Sequence, residues 1–297
     1  MAYDDAPAAV RAWFDRELGS QVVASSTQYG GFSPGVAARL VTASGRRAFV
    51  KAVGPELNPD TPGLFRQESV AMQALDPLRM TQAPRLYGAY DDGAWVALLL
   101  EDIEGRTAQH PWPREDAIRV IDAIDELSLA LTPSPWPDAP VAAERSVNFL
   151  SGWDRVIADG IDLPDSMRGR TAELVELARR GREAVAQGEG LTHWDIRSDN
   201  LLLTEDRVVF VDWAWAARAA PWADQVFIQV DIRSGDGVPD IPDMPADDGI
   251  TGFLAALVGG LWWAAHQPPP PGLPTIRTFQ RDSADAALGW LRTRLVV

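Results

Sequence analysis

Val10, Trp13, Phe14 and Leu18 recur at helical spacing and predict an amphipathic helix over residues 5–18, ending at Gly19. Strand-like runs follow at 21–28, 36–43 and 47–53, separated by a glycine-rich stretch at 29–35 and a Ser44-Gly45 turn. Three such runs with turns between them predict an antiparallel meander. Residues 63–78 return to helical spacing through Leu64, Val70, Met72 and Leu75, with Glu68 near the middle. Two further strands are expected at 85–90 and 94–100, joined by the Asp91-Asp92-Gly93 turn. After 101–105 the pattern changes: helices are expected over 113–131, 166–187 and 247–266, with short β-runs at 200–203 and 208–211. The proline-rich stretches 133–140 and 268–272 read as loops between helices, and no internal repeat is found. The pattern therefore predicts an α+β chain: a β-sheet lobe over 1–100 carrying one main helix, a connector at 101–105, and a larger, mostly helical lobe over 106–297.

A chain of 297 residues is long enough for two such lobes, each with a core. Cysteine is absent, which removes disulfides, thiolate zinc sites and thiol nucleophiles. No uninterrupted apolar run reaches about 18 residues, so no membrane span is expected. The first residues lack the basic segment and apolar core of a secretory signal, and a cytoplasmic location is the expectation. The net charge of −15 disfavours nucleic acid and anionic membrane surfaces as partners and favours cationic ligands. The same charge also serves plain solubility, so it names no substrate.

The chemistry concentrates in Thr192-His193-Trp194-Asp195-Ile196-Arg197-Ser198-Asp199-Asn200, followed by an apolar run that ends in Asp212-Trp213. Phosphoryl transfer from a nucleotide needs a carboxylate to orient an incoming hydroxyl, oxygen ligands for magnesium, and cations for charge on the moving phosphate. Asp195 suits the first role. Asn200 and Asp212 suit the second, because magnesium takes few protein carboxylates and completes its shell with substrate oxygens. Arg197, two residues beyond Asp195, is a candidate phosphate contact. His193 reads as a structural member of the loop.

This combination resembles the aminoglycoside phosphotransferase and choline-kinase-like small-molecule kinases, whose motif reads H-G-D-x-x-x-x-N with a later D-W or D-F. The resemblance implies a bilobal protein-kinase-like fold and places Asp224 as an acid that braces the catalytic loop. Trp194 departs from it, standing where a small residue is usual; its bulk narrows an acceptor pocket or packs inside.

A site of this type also wants a glycine turn over the phosphates, a lysine on the third strand and a glutamate on the next helix. Gly30, Gly31, Ser33 and Gly35 fit the turn, and Glu101 and Ile103 of the connector join them as nucleotide-binding positions. Lys51 is the only lysine in the chain and interrupts an apolar strand, which is costly unless the charge is paired. Glu68 is its expected partner. On the acceptor side, the acidic segment 235–248 either binds a cationic acceptor or caps and solvates a helix start. Trp213, Trp215, Trp222, Trp262 and Trp263 either wall an acceptor ring or fill the core.

The sequence thus predicts a kinase that moves the γ-phosphate of ATP, with Mg2+, to a hydroxyl of a small molecule. GTP stays open as donor, antibiotics such as aminoglycosides lead as acceptors, and the oligomeric state is undetermined. The alternatives are a metabolite kinase acting on an amino alcohol or sugar, and a catalytically silent nucleotide-binding module.

Overall fold

Helix α1 (Ala8–Leu18) stops at Gly19, whose φ of 68° lets its N–H close on the carbonyl of Arg16. Its buried residues Val10, Trp13, Phe14 and Leu18 face a sheet built from β1 (Val22–Thr27), β2 (Val36–Thr42) and β3 (Arg47–Val53). After helix α2 (Thr61–Leu75) come β4 (Leu86–Asp91) and β5 (Val96–Leu100). The five strands are antiparallel in the order β1-β2-β3-β5-β4. Described by this computed structural model are residues 1–28, 34–235, 237–270 and 273–295.

The two-residue period of the sheet decides where the chemistry goes. Ala48, Val50 and Ala52 of β3 join Val36, Ala38 and Leu40 in the core beneath α1. Lys51 and Val53 must then point to the opposite face. There Val53 packs with Phe65 of α2, so Lys51 faces that helix. The buried stripe of α2 is Phe65, Glu68, Met72 and Leu75, at spacings of three and four. This corrects the expected stripe, because Val70 is 44% exposed and Glu68 is inside the buried face. Gly35 is dictated by space: a Cβ there would lie 2.4 Å from the carbonyl oxygen of Ala52 on β3.

The chain continues through α3 (Arg114–Ala130), three short helices α4 (Ala142–Arg145), α5 (Val147–Leu150) and α6 (Gly152–Ala158), then α7 (Thr171–Ala186) and β6 (Gly190–Thr192). A hairpin of β7 (Leu201–Leu203) and β8 (Val208–Phe210) follows. After it come β9 (Ala217–Ala219), α8 (Ala223–Ile232), α9 (Asp248–Ala265) and α10 (Ile276–Arg294). β9 pairs with β6. The α+β class expected from the sequence is the class observed.

Contacts divide the chain into one unit of Met1–Thr107 with Asp199–Trp215 and a second of Ala108–Ser198 with Ala216–Val297. The expected connector at 101–105 falls inside the first unit, and so does the hairpin that was assigned to the helical part. Backbone hydrogen bonds explain this. Arg106 and Leu203 exchange both of theirs, and the Phe210 N–H donates to the Gln82 carbonyl.

In the second unit α9 is the central helix. It crosses α7 where Gly181 meets Gly252, and a Cβ on Gly181 would sit 2.0 Å from the Gly252 backbone. Helix α9 also corrects the expectation that no segment could span a membrane. Its 18 residues have a mean hydropathy of 1.2, enough by length and composition, but 61% of them are buried inside the fold as a core helix.

Candidate active site

In the first unit Lys51 Nζ lies 2.9 Å from both carboxylate oxygens of Glu68 and 3.1 Å from Asp212 Oδ1. Glu68 is buried and the Lys51 side chain is 12% exposed, whereas the Asp212 side chain is 40% exposed. Burial alone would pull the Lys51 ammonium down, but Asp212 and Glu68 outweigh it and hold the group above its ordinary value. Burial pushes the Glu68 carboxyl up, opposed by Lys51 and by the Trp213 N–H that donates to it. The result is one fixed cation between a sequestered carboxylate and a solvent-facing one. Asp212 takes a φ of 67°, a left-handed conformation that a non-glycine residue adopts only where its surroundings hold it.

Asn200 is buried next to this group, and the Val211 N–H donates to its carbonyl at 2.9 Å, bringing the Asn200 and Asp212 segments together. One carboxylate and one amide oxygen are hard donors that fit a magnesium ion sharing oxygens with a nucleotide. Among the described residues no group of three or more His, Asp or Glu forms a fuller ligand set.

Of the other positions expected on the nucleotide side, Gly35 lies immediately before β2, while Gly30, Gly31 and Ser33 lie outside the described residues. Glu101 accepts from Arg207 Nη2 at 2.9 Å and from the Arg85 N–H at 3.1 Å, so its carboxylate ties the end of β5 to the hairpin. Ile103 is buried. Between them Asp102 bridges Arg39 of β2 at 2.5 Å and Arg47 of β3 at 2.8 Å.

The second unit holds the loop after β6. His193 is fully buried, and its Nδ1 faces the Asp195 N–H at 3.3 Å. Asp224, at the start of α8, accepts from the His193 N–H at 2.7 Å and the Trp194 N–H at 2.9 Å. Burial pushes the Asp224 carboxyl up to about 6, the two amide hydrogen bonds opposing it. Asp195 itself lies 3.4 Å from Arg197 Nη1, and the Arg197 guanidinium stacks over the Phe279 ring of α10.

Trp194 has a φ of 66°, which explains why a small residue is usual at this place. Its indole packs against Phe227 and Phe253 and donates to Ser146 Oγ at 2.8 Å. Of the two outcomes expected for its bulk, the structure shows internal packing. Trp213 is likewise fully buried, Trp222 packs on Phe253, and Trp262 and Trp263 donate to the carbonyl of Asp162 and the carboxylate of Asp159. Trp215 is 38% exposed. Within the acidic segment, Asp247 caps α9 through the Ile250 N–H, and Asp243 accepts from Trp290 Nε1 at 2.9 Å with Arg233 and Arg294 nearby. Those two acids are thus engaged structurally.

Residues 30–257 match the phosphotransferase enzyme family known as APH. The chain belongs to that family. No curated protein sequence matches it significantly. Among solved phosphotransferase-like structures, a thermostable mutant of aminoglycoside phosphotransferase APH(4)-Ia, in ternary complex with ADP and hygromycin B, is similar with a TM-score of 0.60 at 13% identity, covering 96% of this chain and 97% of that one. Spectinomycin phosphotransferase APH(9)-Ia, in complex with ADP and spectinomycin, gives 0.59 at 9% identity over 94% and 97%. A putative fructosamine-3-kinase from Haemophilus somnus gives 0.57 at 12% identity over 94% and 96%. At these identities the likeness is one of fold. The family membership makes this chain a small-molecule kinase.

Sequence reasoning passed over Asp231 and His110, which the phosphotransferase fold brings to Ser198 across 33 and 88 residues. No periodicity or motif marks either residue.

Proposed function

We propose that the protein transfers the γ-phosphoryl group of ATP to a hydroxyl of a small molecule, with Asn200 and Asp212 holding Mg2+. The observation that carries this reading is the Lys51–Glu68–Asp212 group, where the chain's only lysine is fixed as a cation against two carboxylates. A compact ammonium held in this way suits phosphate oxygens, and Glu68 keeps it from swinging away. When bound, the metal neutralises charge on the nucleotide phosphates. Asp195 orients the acceptor hydroxyl and takes its proton, while Arg197 meets charge on the transferring group. Asp224 and His193 keep the loop backbone in place. Gly35, Glu101 and Ile103 belong to the nucleotide side.

Antibiotics of the aminoglycoside kind lead as acceptors, since hygromycin B and spectinomycin are bound by proteins of this fold. A metabolite acceptor is the second reading, favoured by the fold's likeness to a fructosamine-3-kinase. The test is release of ADP in the presence of Mg2+, ATP and a panel of aminoglycosides, other antibiotics, amino alcohols and glycated amines. Asp195→Ala is expected to lower kcat about 10²-fold or more with ATP affinity retained. Unchanged turnover in that variant removes Asp195 from the role, and no acceptor-dependent ADP from the wild type sinks the kinase reading.

A further inference from the structure

A cavity of about 260 Å³ opens in the first unit at the C-terminal end of α2, between that helix, the start of β4, Glu101 and the turn of the β7–β8 hairpin. Leu75, Ala83 and Pro84 give it a buried apolar lining. Its walls also hold three arginines, Arg79, Arg85 and Arg207, against two carboxylates, Asp76 and Glu101. One ion pair is closed. Arg207 Nη2 donates to Glu101 Oε1 at 2.9 Å, Nη1 donates to the Thr81 carbonyl at 3.2 Å, and Glu101 Oε2 accepts the Arg85 backbone N–H at 3.1 Å. The second pair is open, with Arg79 Nη1 3.9 Å from Asp76 Oδ1 and both side chains exposed. Among the described residues no carboxylate or carbonyl accepts from the Arg85 guanidinium. Three cations against two carboxylates leave the cavity one net positive charge, in a chain whose net charge is −15.

The backbone at Arg79 points the same way. It is left-handed, with φ 50° and ψ 38°, at the end of the 3-10 turn Asp76–Leu78. Glycine or asparagine takes that conformation at less cost. Among the described residues only Trp194 and Asp212 are further non-glycine positions with a positive φ, and both belong to the candidate active site. An arginine persists at such a place where its guanidinium serves a purpose that glycine cannot. The volume is that of about nine waters at about 30 Å³ each, room for a molecule of about ten heavy atoms. An apolar lining beside two guanidiniums that no carboxylate hydrogen-bonds suits an organic anion better than a bare ion or a cation.

We propose that this cavity is an effector site for a small organic anion, a carboxylate or phosphate monoester on a compact apolar body, held by Arg79 and Arg85 and coupled to the donor nucleotide. The walls supply the coupling. Leu75 follows Glu68 by two helical turns on the same buried stripe of α2. Arg207 sits in the turn of the hairpin whose ends run into Asn200 and Asp212. The loop after α2 already joins the two, because the Phe210 N–H donates to the Gln82 carbonyl and Arg207 donates to that of Thr81. An anion that draws Arg79 and Arg85 inward fixes this loop against the hairpin. It thereby fixes Glu68 and Asp212 in the arrangement that clasps Lys51. Anion and Mg-nucleotide then tighten each other by the same factor. Lys51, Asn200 and Asp212 are not part of the cavity wall, whereas Glu101, expected on the nucleotide side, lends its carboxylate to it.

The coupling rests on the kinase reading for its nucleotide, while the anion site stands apart from it, so the two are tested separately on the full chain. The Nε–H resonances of isotope-labelled arginines are followed by NMR as benzoate, phenyl phosphate or benzylamine is added. One of the two anions, according to the group the site prefers, is expected to shift Arg79 and Arg85 to saturation, and benzylamine to leave both unmoved. Neither anion moving them, or benzylamine moving them equally, overturns the site. Arg79→Gly removes the guanidinium and the strain together. Its melting temperature should hold or rise while anion affinity falls about tenfold, the loss of one hydrogen bond to a charged group. Arg85→Gln should weaken the anion by a similar factor, and full affinity in both variants rules the site out. A saturating non-hydrolysable ATP analogue with Mg2+ is expected to tighten anion binding about fivefold. Displacement of the anion by the analogue puts it in the donor site and overturns the proposal, and an unchanged affinity overturns the coupling. A chain that binds no analogue loses the coupling together with the kinase reading, and the anion titration then decides the cavity alone.

Discussion

Lys51 shows how much a single residue discloses when its chemistry conflicts with its surroundings. A charge inside an apolar strand has to be paired, and the helix that follows offers Glu68 within its buried stripe. Replacing Lys51 by Met should cost about 3–5 kcal/mol in denaturant unfolding, because Glu68 is left buried and unpaired. Adding Glu68→Leu should recover most of that loss, while nucleotide binding stays impaired in both variants. Asp224 makes a matching prediction on pH. Its folded-state value, pushed up to about 6, means that the folded chain holds a proton that the unfolded chain gives up at lower pH. The stabilisation from this group is therefore complete below the unfolded carboxylate value and is lost as pH rises through about 6. Relative to Asp224→Asn, the wild type should lose about 3 kcal/mol of stability between about pH 4 and about pH 7, measured by unfolding at each pH. Lys51 was legible in the sequence because its apolar neighbours demanded a partner, whereas Asp224 was marked only by the family resemblance. His110 and Asp231 were not, since only tertiary folding brings a histidine in a proline-rich stretch to an aspartate on a distant helix.

At the level of elements, long amphipathic stretches were read well and uniform ones poorly. The sheet strands and helices α1, α2, α3, α7 and α9 lie on the stretches expected, though β4 runs one residue past its expected end, α2 starts two residues early at Thr61, and the expected helix at 166–187 begins instead at Thr171 after a short 3-10 turn at Asp165–Met167. Helix α8 escaped notice because nine of its ten residues are buried, which erases the apolar-polar contrast that marks a helix. Helix α10 escaped because Ala and Ser supply half of its buried positions and alternate with many charges. The glycines of α7 and α9 looked like weak helix formers, yet they are what lets the two helices touch. Gly181→Ala should lower stability by about 1–3 kcal/mol through backbone overlap with Gly252. Gly289→Ala, on the exposed side of α10 with open space around it, should raise stability by about 0.4–1 kcal/mol. Thermal unfolding of the two variants side by side reads the difference.

For the whole molecule, reading along the chain yields one boundary, whereas folding yields a unit assembled from two pieces. Residues 199–215 join the sheet-bearing unit through ladder hydrogen bonds that no local pattern announces. Asn200 and Asp212 consequently share a unit with Lys51, and Asp195 belongs to the other. A ligand that binds the folded state adds to the stability of the whole, so a non-hydrolysable ATP analogue with Mg2+ at about a hundred times its Kd should contribute about 2.7 kcal/mol. Lys51→Met should abolish that gain in a thermal-shift titration.

Because Lys51 is the only lysine, the chain has one ε-amine to offer an acylating reagent, alongside its α-amino group. That amine is clasped by two carboxylates and held in its unreactive protonated state. The stoichiometry of amine labelling thus becomes a direct counter of intact sites. With the clasp intact one label goes on, at the terminus, and a preparation that takes up a second has lost the clasp, the second label mapping to Lys51. An acyl-phosphate nucleotide probe, in contrast, would deliver its payload to a single position and mark the fraction of molecules able to hold the donor.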